Sequence, residues 1–402
     1  MSNEKEQHSI GVFIVTVVLS LLGLAVVLTL SSCQTTASAQ SSVPTSDRGY
    51  VVRYQNAYEL PPSARVLSEK WKVAYVPMGA LEKPVGGPYL SAEPDHPYFL
   101  DEAGSVVMPN DPLNFRQLAL SLMNVPSTWA ITTEGARVGI VDSGVEAHAD
   151  LNANLLAARD VTREEVDGSG WRDEVGHGTR MAGLVGAVGA NGLGLSGVAP
   201  KVELVVAKFL DGRHQIAGET ARGYLSDLIA GLDYVVNQRL SRVVLVPMSG
   251  FGQSIALREV FQAMCEVQDV VIVVSSGNGG ADRAGDNNDF WPKYPSSYQN
   301  DCLLSVAALD GDERLASYSN YGRASVKLAA PGFGVTTSTG MCFLGIAGIQ
   351  FDRDNCYMDV SGTSVAASYV AGVVSLMRNV SPNYPASGVK APTFFQAVTI
   401  RA

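Results

Sequence analysis

Six short runs of β-branched and other apolar residues recur between residues 138 and 330, and they constrain the fold more than any other feature of the sequence. The runs lie at 138–141, 202–207, 243–246, 270–274, 303–307 and 326–330. Runs this apolar are typical of strands that are covered on both faces. Helical patterns separate several of them, at 179–188, 220–237 and 255–266. The alternation predicts an α/β fold, a doubly wound parallel sheet with helices on both faces.

Three polar residues stand where this pattern predicts the ends of strands or the start of a helix. Asp142 ends the first run, Asn278 follows the fourth, and His177 lies between two glycines directly before the first helix. Taken singly, each residue fits a capping or turn role. In parallel sheets, however, functional groups collect beyond the carboxyl ends of the strands, so we expect these side chains to converge there.

Ser364 directly precedes a helical pattern at 365–377 that has almost no polar face, which predicts a buried helix. A serine there can cap the helix. The N-terminus of a helix also presents free N–H groups and partial positive charge, both of which favour an oxyanion. Ser364 then supplies a nucleophile and His177 its base. Asp142 supplies an orienting carboxylate and Asn278 an oxyanion donor, which completes the set that acyl transfer requires.

The sequence around these residues resembles the subtilisin-like serine proteases (subtilases, peptidase family S8), and the resemblance covers about 110 to 385. The matching segments are Asp142-Ser143-Gly144-Val145, His148-Ala149-Asp150-Leu151, Gly176-His177-Gly178-Thr179, GANGLGLSGVAP at 189–200, Ser276-Gly277-Asn278, SYSNYG at 317–322 and Ser361-Gly362-Thr363-Ser364. The resemblance implies the three-layer subtilisin-like fold and a serine endopeptidase.

The mechanism that the resemblance implies agrees with the roles read from the residues. His177 would take the proton of Ser364 during attack on a peptide carbonyl, while Asp142 holds the imidazole. Asn278 and the Ser364 N–H would bind the oxyanion of the acyl-transfer step. Extended peptide or protein substrates are the implied partners, bound by residues at two walls of a cleft. These residues are Ser249, Gly250, Phe251 and Gly252 on one side and Ser275, Ser276 and Gly277 on the other.

The resemblance further implies no cofactor for the chemistry but a structural calcium ion. Asp150 and Asn191, with the carbonyl groups of Gly189, Leu193 and Leu195, match positions that bind calcium in many subtilases. Oxygen ligands of this kind suit a hard cation. The alternative is an uncharged turn that packs without metal.

Four residues depart from the family pattern. Ser368 stands where proline is usual, Tyr369 where histidine is common, and Val365 where methionine is common. Because Ser368 restores a backbone N–H, it could shift the helix that aims Ser364. Pro247 replaces a frequent asparagine, and it fits only at a strand edge or where an N–H faces away.

The N-terminus has the features of an export signal. Residues 10–30 form an apolar run of 21 residues, followed by Leu30-Ser31-Ser32-Cys33, which resembles a bacterial lipobox. We favour a signal peptide at 1–32, lipidation of Cys33 and a flexible tether to residue 48, which would anchor the protein to the cell envelope. An uncleaved anchor and an ordinary secretion signal remain as alternatives, and all three place the protein outside the cytoplasm.

Lipidation of Cys33 would leave four cysteines in an oxidising compartment, where three pairings are open. Cys342–Cys356 is favoured because it closes a short glycine-rich loop, and Cys265–Cys302 then follows. Four reduced thiols are the alternative.

Residues 49–108 are rich in proline, tyrosine and charge, and they precede the predicted catalytic domain at 109–402. They are either a propeptide or a retained N-terminal arm. The formal charge of −10 argues against nucleic-acid binding, and we expect a monomer. Two other functions stay open: a non-catalytic peptide-binding lipoprotein, and a peptide cyclase or ligase that uses the same acyl-enzyme.

Overall fold

The computed structural model describes residues 49–80, 89–95, 97–100, 105–106, 113, 117–129, 131–162, 172–212, 221–250, 252–280, 282–339 and 356–390. Within these ranges no helix is both long and apolar enough to cross a bilayer. The predicted signal peptide, Cys33, the tether, Phe251 and Cys342 lie outside them.

Strands β1 to β17 follow one another along the described residues. They are β1 (Gly49–Tyr54), β2 (Arg65–Ser68), β3 (Val73–Pro77), β4 (Tyr89–Pro94), β5 (Pro97–Leu100), β6 (Ser105–Val106), β7 (Glu134–Asp142), β8 (Leu155–Asp160), β9 (Lys201–Lys208), β10 (Gly223–Tyr224), β11 (Val243–Val246), β12 (Met248–Ser249), β13 (Val271–Ser275), β14 (Leu303–Leu309), β15 (Leu328–Pro331), β16 (Val335–Ser338) and β17 (Tyr357–Val360).

The α-helices of the same ranges are interspersed with these strands. They are α1 (Leu118–Leu122), α2 (Val125–Trp129), α3 (His177–Gly186), α4 (Leu225–Asp233), α5 (Ile255–Glu266) and α6 (Thr363–Val380). A π-helical turn at Tyr234–Gln238 continues α4, and short 3-10 helices lie at Ala57–Glu59 and Ala386–Lys390.

A seven-stranded parallel sheet forms the centre of the fold, in the order β15-β14-β13-β11-β7-β9-β8. Every residue of β11, β13 and β14 is buried, as expected for strands that are covered on both faces. This confirms the predicted doubly wound parallel sheet.

Helices cover both faces of this sheet. Gly186 of α3 packs against Val202 and Leu204 of β9, whereas Gly231 of α4 packs against Ala207 of the same strand. Because neighbouring side chains of a strand point to opposite faces, α3 and α4 lie on opposite sides. Helix α6 contacts α3 and five strands of the sheet, and most of its residues are buried, which confirms the predicted buried helix after Ser364.

The chain reverses direction across the sheet at β7. From β7 it moves first toward β9 and β8, and later returns to the other side of β7 through β11. A crevice outside the carboxyl ends of the strands is the expected binding site at such a point. Asp142, the last residue of β7, therefore lies where a site is expected.

Strands β1 to β4 form a second, antiparallel sheet in the order β2-β3-β1-β4. One face, with Val51, Val73 and Trp71, joins the main hydrophobic core, and the sheet contacts α4 and α5. The sequence indicated only a propeptide or a retained arm here and assigned no fold to it.

Two smaller three-stranded sheets complete the structure. Strand β5 lies between β10 and β12 and pairs antiparallel with both. Strand β17, which leads into α6, pairs with β16 and β6. The segment directly after the N-terminal sheet is thus the middle strand of a sheet whose two outer strands belong to the α/β domain.

Candidate active site

The carboxylate of Asp142 is fully buried, and hydrogen bonds at the end of β7 fix its position. The Ser143 N–H donates to its Oδ1 at 2.6 Å. The Asp142 carbonyl accepts from the N–H groups of Phe209 and Leu210, at 2.8 and 3.2 Å, directly after the neighbouring strand β9. The end of β7 is therefore fixed to the residues directly after the adjacent strand β9.

His177 is the first residue of α3 and faces this carboxylate. Its Nδ1 lies 2.8 Å from both Oδ1 and Oδ2 of Asp142, and both side chains are fully buried. A neutral imidazole that donates from Nδ1 carries its basic lone pair on Nε2. This contact therefore selects the tautomer that can act as a base. The structure thus brings two of the four predicted residues together.

Ser364 is the second residue of α6 and is fully buried. Helices α6 and α3 pack against each other, so the helices that carry Ser364 and His177 in their first turns are neighbours. One link between them is the Ser368 hydroxyl, which lies 3.1 Å from the sulfur of Met181 in α3.

Asn278 lies beside the start of α6. Its Oδ1 accepts hydrogen bonds from the N–H and the Oγ1 of Thr363, at 2.9 and 3.0 Å. The amide oxygen is therefore committed to the residue before Ser364, which fixes the orientation of the amide. That orientation suits a donor to an oxyanion that forms at Ser364.

A buried asparagine that sequence reasoning missed shapes the loop of Asn278. The Oδ1 of Asn320 accepts from the N–H groups of Gly279 and Asp286, at 2.7 and 2.9 Å. Its own N–H donates to the Gly277 carbonyl at 2.8 Å. Gly277 has φ +110, and a Cβ there would lie 2.7 Å from the Asn320 amide nitrogen, so only glycine fits this close approach. The segment SYSNYG was the available signal, but nothing in it indicated this role.

Asp173 is a second residue that the sequence analysis did not select. It lies four positions before His177, in the loop that leads into α3, and only 5% of it is exposed. An acidic residue close to the start of a helix was the available signal.

The predicted substrate-binding residues lie around the small sheet that contains β5. Ser249 belongs to β12 and pairs with Phe99 of β5 in the backbone register. Gly250 forms an antiparallel bridge with Tyr294, and Gly252 follows in the same segment. Ser275, Ser276 and Gly277 are buried at the end of β13, next to Asn278.

The predicted calcium position centres on Asp150, whose side chain is fully buried. Its Oδ1 accepts from the Asn191 amide at 2.6 Å, and its Oδ2 accepts from the Leu195 N–H and the Tyr357 hydroxyl, both at 3.0 Å. Burial raises the pKa of the Asp150 carboxyl, although these hydrogen bonds oppose the effect. A cation beside this carboxylate would relieve the cost of its burial.

The surrounding loop offers further oxygen atoms. The carbonyl groups of Gly189, Leu193 and Leu195 accept no backbone hydrogen bond from any residue that the structure describes. Carbonyl oxygens that accept no backbone hydrogen bond from a described residue, in a loop that contacts the buried carboxylate through Asn191 and Leu195, fit the ligand preference of calcium. The Asn191 side chain presents its nitrogen to Asp150 and its oxygen to the Leu193 N–H at 2.8 Å, so it would have to turn to act as a ligand.

The predicted Cys265–Cys302 disulfide is present, with a Cα–Cα distance of 5.5 Å. It ties the end of α5 to the start of β14. Since Cys342 lies outside the described residues, the Cys342–Cys356 pairing stays a prediction.

The structure shows the surroundings of the four residues that depart from the family pattern. The Ser368 hydroxyl donates to the Ser364 carbonyl at 2.9 Å, within the regular helix α6. Val365 is fully buried. Tyr369 is also fully buried, and its hydroxyl has no hydrogen-bond partner among the described residues. Pro247 lies between β11 and β12, so its missing backbone N–H removes no donor from either strand.

Comparisons with known proteins agree with this geometry. A family model described as the subtilase family, peptidase S8, matches residues 133–400. Alkaline elastase YaB of Bacillus sp. (strain YaB) is 28% identical over 295 residues, which cover 73% of this chain and 67% of that protein. Thermitase of Thermoactinomyces vulgaris is 28% identical over 286 residues, 70% of this chain and 89% of thermitase. The minor extracellular protease Epr of Bacillus subtilis (strain 168) is 29% identical over 67% of this chain and 36% of its own length.

A solved structure extends the likeness. Fervidolysin from Fervidobacterium pennivorans, described as a keratinolytic enzyme related to subtilisin, matches with a TM-score of 0.68 and 22% identity. The match covers 86% of this chain and 56% of that chain, so it includes residues before 133 and shows a shared fold. With the family matched over residues 133–400, the chain belongs to the subtilases and is a serine endopeptidase of the subtilisin-like fold.

Proposed function

We propose that the protein hydrolyses peptide bonds through Ser364, His177 and Asp142, with Asn278 in the oxyanion hole. The observation that carries the proposal is the 2.8 Å contact of His177 Nδ1 with the buried carboxylate of Asp142. His177 lies in a helix that packs against α6, whose second residue is Ser364. A fully buried carboxylate next to an imidazole stabilises the imidazolium that forms when the serine is deprotonated.

In the proposed reaction, His177 Nε2 accepts the Ser364 proton as Oγ attacks the carbonyl carbon of the scissile bond. The Asn278 Nδ2 and the Ser364 N–H, at the start of α6, donate to the oxyanion. His177 then returns the proton to the leaving amine, and water resolves the acyl-enzyme by the same steps. Each residue acts from the end of a different element of the central α/β layer, which keeps the relative positions rigid.

A fluorophosphonate probe tests the proposal. We expect it to label the purified protein and to lose that label in the Ser364→Ala variant. An unlabelled but folded protein that still binds extended peptides would instead favour the non-catalytic binding lipoprotein. Product analysis with an added amine nucleophile distinguishes hydrolysis from ligation: more amide product than acid would favour a cyclase or ligase.

We further propose that residues 49–108 are a propeptide whose end occupies the substrate cleft. Strand β5 pairs with β12, which contains Ser249, and with β10 on its other side, as an extended substrate would. A peptide bound in this way blocks the cleft until it is removed.

Two carboxylates from the end of the N-terminal sheet support this proposal, because they cap helices of the α/β domain. Glu93 accepts from the Ser254 hydroxyl and from the Ile255 and Ala256 N–H groups at the start of α5, each at 2.6 Å. Asp95 accepts from the N–H and hydroxyl of Ser226 at the start of α4. Negative charge at a helix N-terminus is favourable, and here it orients the segment that enters the cleft.

Mass spectrometry of the mature protein distinguishes a propeptide from a retained arm. A propeptide predicts that residues 49–108 are absent from the mature wild-type enzyme and retained in Ser364→Ala. If they persist in fully active wild-type protein, the segment is an arm.

For the location, we propose a lipoprotein anchored through Cys33 outside the cytoplasm. Support comes from the lipobox-like Leu30-Ser31-Ser32-Cys33 and from relatives such as the extracellular protease Epr. Metabolic labelling with a fatty acid should mark the wild-type protein and not Cys33→Ser. Label in neither protein would leave the uncleaved anchor or ordinary secretion, which membrane fractionation separates.

We also propose a structural calcium ion at Asp150, held with the carbonyl groups of Gly189, Leu193 and Leu195 and with a reoriented Asn191. Support comes from the buried carboxylate and from loop carbonyls that lack donors among the described residues. The ion would stabilise the loop and would take no part in the chemistry.

A further inference from the structure

A buried carboxylate outside the proposed triad connects the strand of Asp142 to the helix of His177. The Oδ1 of Asp173 accepts from the Ser143 hydroxyl and from the Gly176 N–H, both at 2.7 Å. Its Oδ2 accepts from the Thr179 N–H at 2.8 Å and from the Thr179 hydroxyl at 2.7 Å. One side chain thus holds four donors, one beside Asp142 and three at the start of α3.

Helix α3 depends on these contacts because it begins without a cap of its own. Its N-cap residue is Gly176, which has no side chain to offer. The N–H groups of a helix's first turn have no acceptor within the helix. The Gly178 N–H donates instead to Ser143 Oγ at 2.9 Å, and the Thr179 N–H donates to Asp173. Two residues from outside the helix therefore determine where its first turn, and with it His177, lies.

The first turn also packs tightly against the residues after Asp142. A Cβ added at Gly178 would lie 2.1 Å from the Gly144 carbonyl oxygen. Because Gly178 and the Gly144 carbonyl approach so closely, a small shift of α3 would change the contact between the helix and the end of β7. The hydrogen bonds of Asp173 run across the same boundary, so they fix the helix where it comes closest to the strand.

The loop that carries Asp173 is fixed as well. The fully buried Lys208 donates to the Arg172 carbonyl at 2.7 Å and forms an ion pair with Glu174. Lys208 is the register partner of Asp142 on the neighbouring strand β9. Both neighbours of Asp173 are therefore tied to the strand pair that ends at Asp142.

We propose that Asp173 is a positioning residue for His177, an inference that rests on the proposed catalytic role of His177. Its carboxylate sets the distance between the end of β7 and the first turn of α3, and thereby the alignment of the imidazole. Only a carboxylate accepts at both oxygens. The isosteric asparagine would present an NH₂ group to donors on one side, and misplacement of a catalytic group by about 1 Å can cost on the order of 10²-fold in rate.

Asp173→Asn in the full chain tests the inference with a peptide substrate. We expect kcat to fall roughly 10- to 100-fold while KM stays within about threefold, because substrate binding is left intact. The matched control is Asp160→Asn. Asp160 is also buried and accepts from the N–H and hydroxyl of Thr162, at 2.9 and 2.6 Å, in a turn at the end of β8. This control should lower the melting temperature but keep kcat within about twofold.

A double-mutant cycle shows whether the effect passes through His177. If Asp173 acts by aligning the imidazole, Asp173→Asn should cost almost nothing in a His177→Ala background. The same fold-loss in that background would overturn the inference, as would wild-type kcat in folded Asp173→Asn. If Asp173→Asn does not fold, Ser143→Ala removes one of the four bonds to Asp173, together with the acceptor of the Gly178 N–H. It should still lower kcat at constant KM, and an unchanged kcat would then overturn the inference.

The measurements distinguish a failure of the proposed triad from a failure of the positioning role of Asp173. Without the triad, the folded wild-type protein would resist fluorophosphonate, and His177→Ala would keep wild-type kcat. With the triad but without the positioning role, the wild type would be labelled and Asp173→Asn would match the Asp160→Asn control.

Discussion

The amide oxygen of Asn278 accepts a hydrogen bond from the backbone N–H of Thr363 at 2.9 Å, one residue before the proposed nucleophile. The contact joins the loop after β13 to the first turn of α6, so the two proposed parts of the oxyanion hole form one rigid unit. It also assigns separate roles to the two ends of the Asn278 amide. The oxygen binds the helix, and the proposed role in the reaction belongs to the nitrogen.

This division of roles predicts the behaviour of Asn278→Asp. The aspartate keeps an acceptor for Thr363 but replaces the proposed donor with an oxygen, so kcat should fall by about 10²- to 10³-fold or more with little change in KM. Asn278→Ala should show a similar loss in kcat and, because the Thr363 contacts are gone, about 1 kcal/mol lower stability. Steady-state kinetics and thermal denaturation measure both effects. A wild-type kcat in the Asn278→Asp variant would remove Asn278 from the oxyanion hole.

Asp142→Asn tests the contact between His177 and its carboxylate. The amide would leave the imidazole in the wrong tautomer, with its proton on the nitrogen that must act as base, so kcat should fall about 10⁴-fold at constant KM. Circular dichroism provides the control for folding. A loss that appeared mainly in KM would mean that Asp142 supports the substrate site and not the base.

The central sheet was predictable from sequence because its strands are apolar on both faces. The predicted limits of β11 and α5 match the observed ones. Strand β8 was missed, and the physical reason is its place at the edge. Among the described strands it pairs only with β9, and it is half-exposed along most of its length, which leaves no continuous apolar run. The run predicted at 326–330 begins two residues later, at Leu328, as the other edge strand β15.

The site residues differ in a similar way. The triad candidates were recognisable because each lies at the end of its own apolar element. Asn320 and Asp173 were not, because their roles depend on partners that only the fold brings close. Asn320 contacts Gly279, 41 positions away, and Asp173 contacts Ser143, 30 positions away. Both residues lie in loops, and no local pattern encodes such contacts.

Tyr369→Phe should stabilise the protein. Burial raises the pKa of the Tyr369 hydroxyl well above its ordinary value, and no described residue offers that hydroxyl a hydrogen bond. Removing an unpaired buried hydroxyl should gain about 1 kcal/mol, a rise of a few degrees in the melting temperature. Tyr357→Phe is the matched control. It deletes a hydroxyl that donates to Asp150 at 3.0 Å and should lower the melting temperature. A loss of stability in Tyr369→Phe would reveal a partner for the hydroxyl.

Removal of calcium should destabilise the loop around Asp150. With free calcium at about 100 times its dissociation constant, the bound ion would contribute about 2.7 kcal/mol, which EDTA would abolish. Thermal denaturation with excess calcium and with EDTA measures the difference, and Asp150→Asn should eliminate it. Magnesium provides the control, since it dehydrates reluctantly and requires a stricter geometry. Equal melting temperatures with calcium and with EDTA would favour a turn that packs without metal.

The pH dependence of stability should report on the end of α6. Arg378, almost fully buried, donates to the Asp269 carboxylate at 2.6 Å, and the Ala386 N–H donates to the other oxygen at 2.6 Å. Partial burial opposes ionisation of Asp269, but these hydrogen bonds and the Arg378 charge outweigh it, so the pKa of Asp269 lies below its ordinary value. The carboxylate therefore stabilises the fold above its unfolded pKa of about 3.9, and this contribution is lost as the pH falls through the lower folded value.

Asp269→Asn should consequently lower the melting temperature at pH 7, with a gap that narrows below about pH 4 and then closes. Asparagine is the appropriate replacement because residue 269 has φ +54, a left-handed conformation that asparagine tolerates. Asp312→Asn is the control, since Asp312 pairs with Arg314 at 3.7 Å with both side chains largely exposed, and such pairs contribute little. A gap of constant size from pH 7 to pH 3 would mean that Asp269 acts through its shape and not its charge.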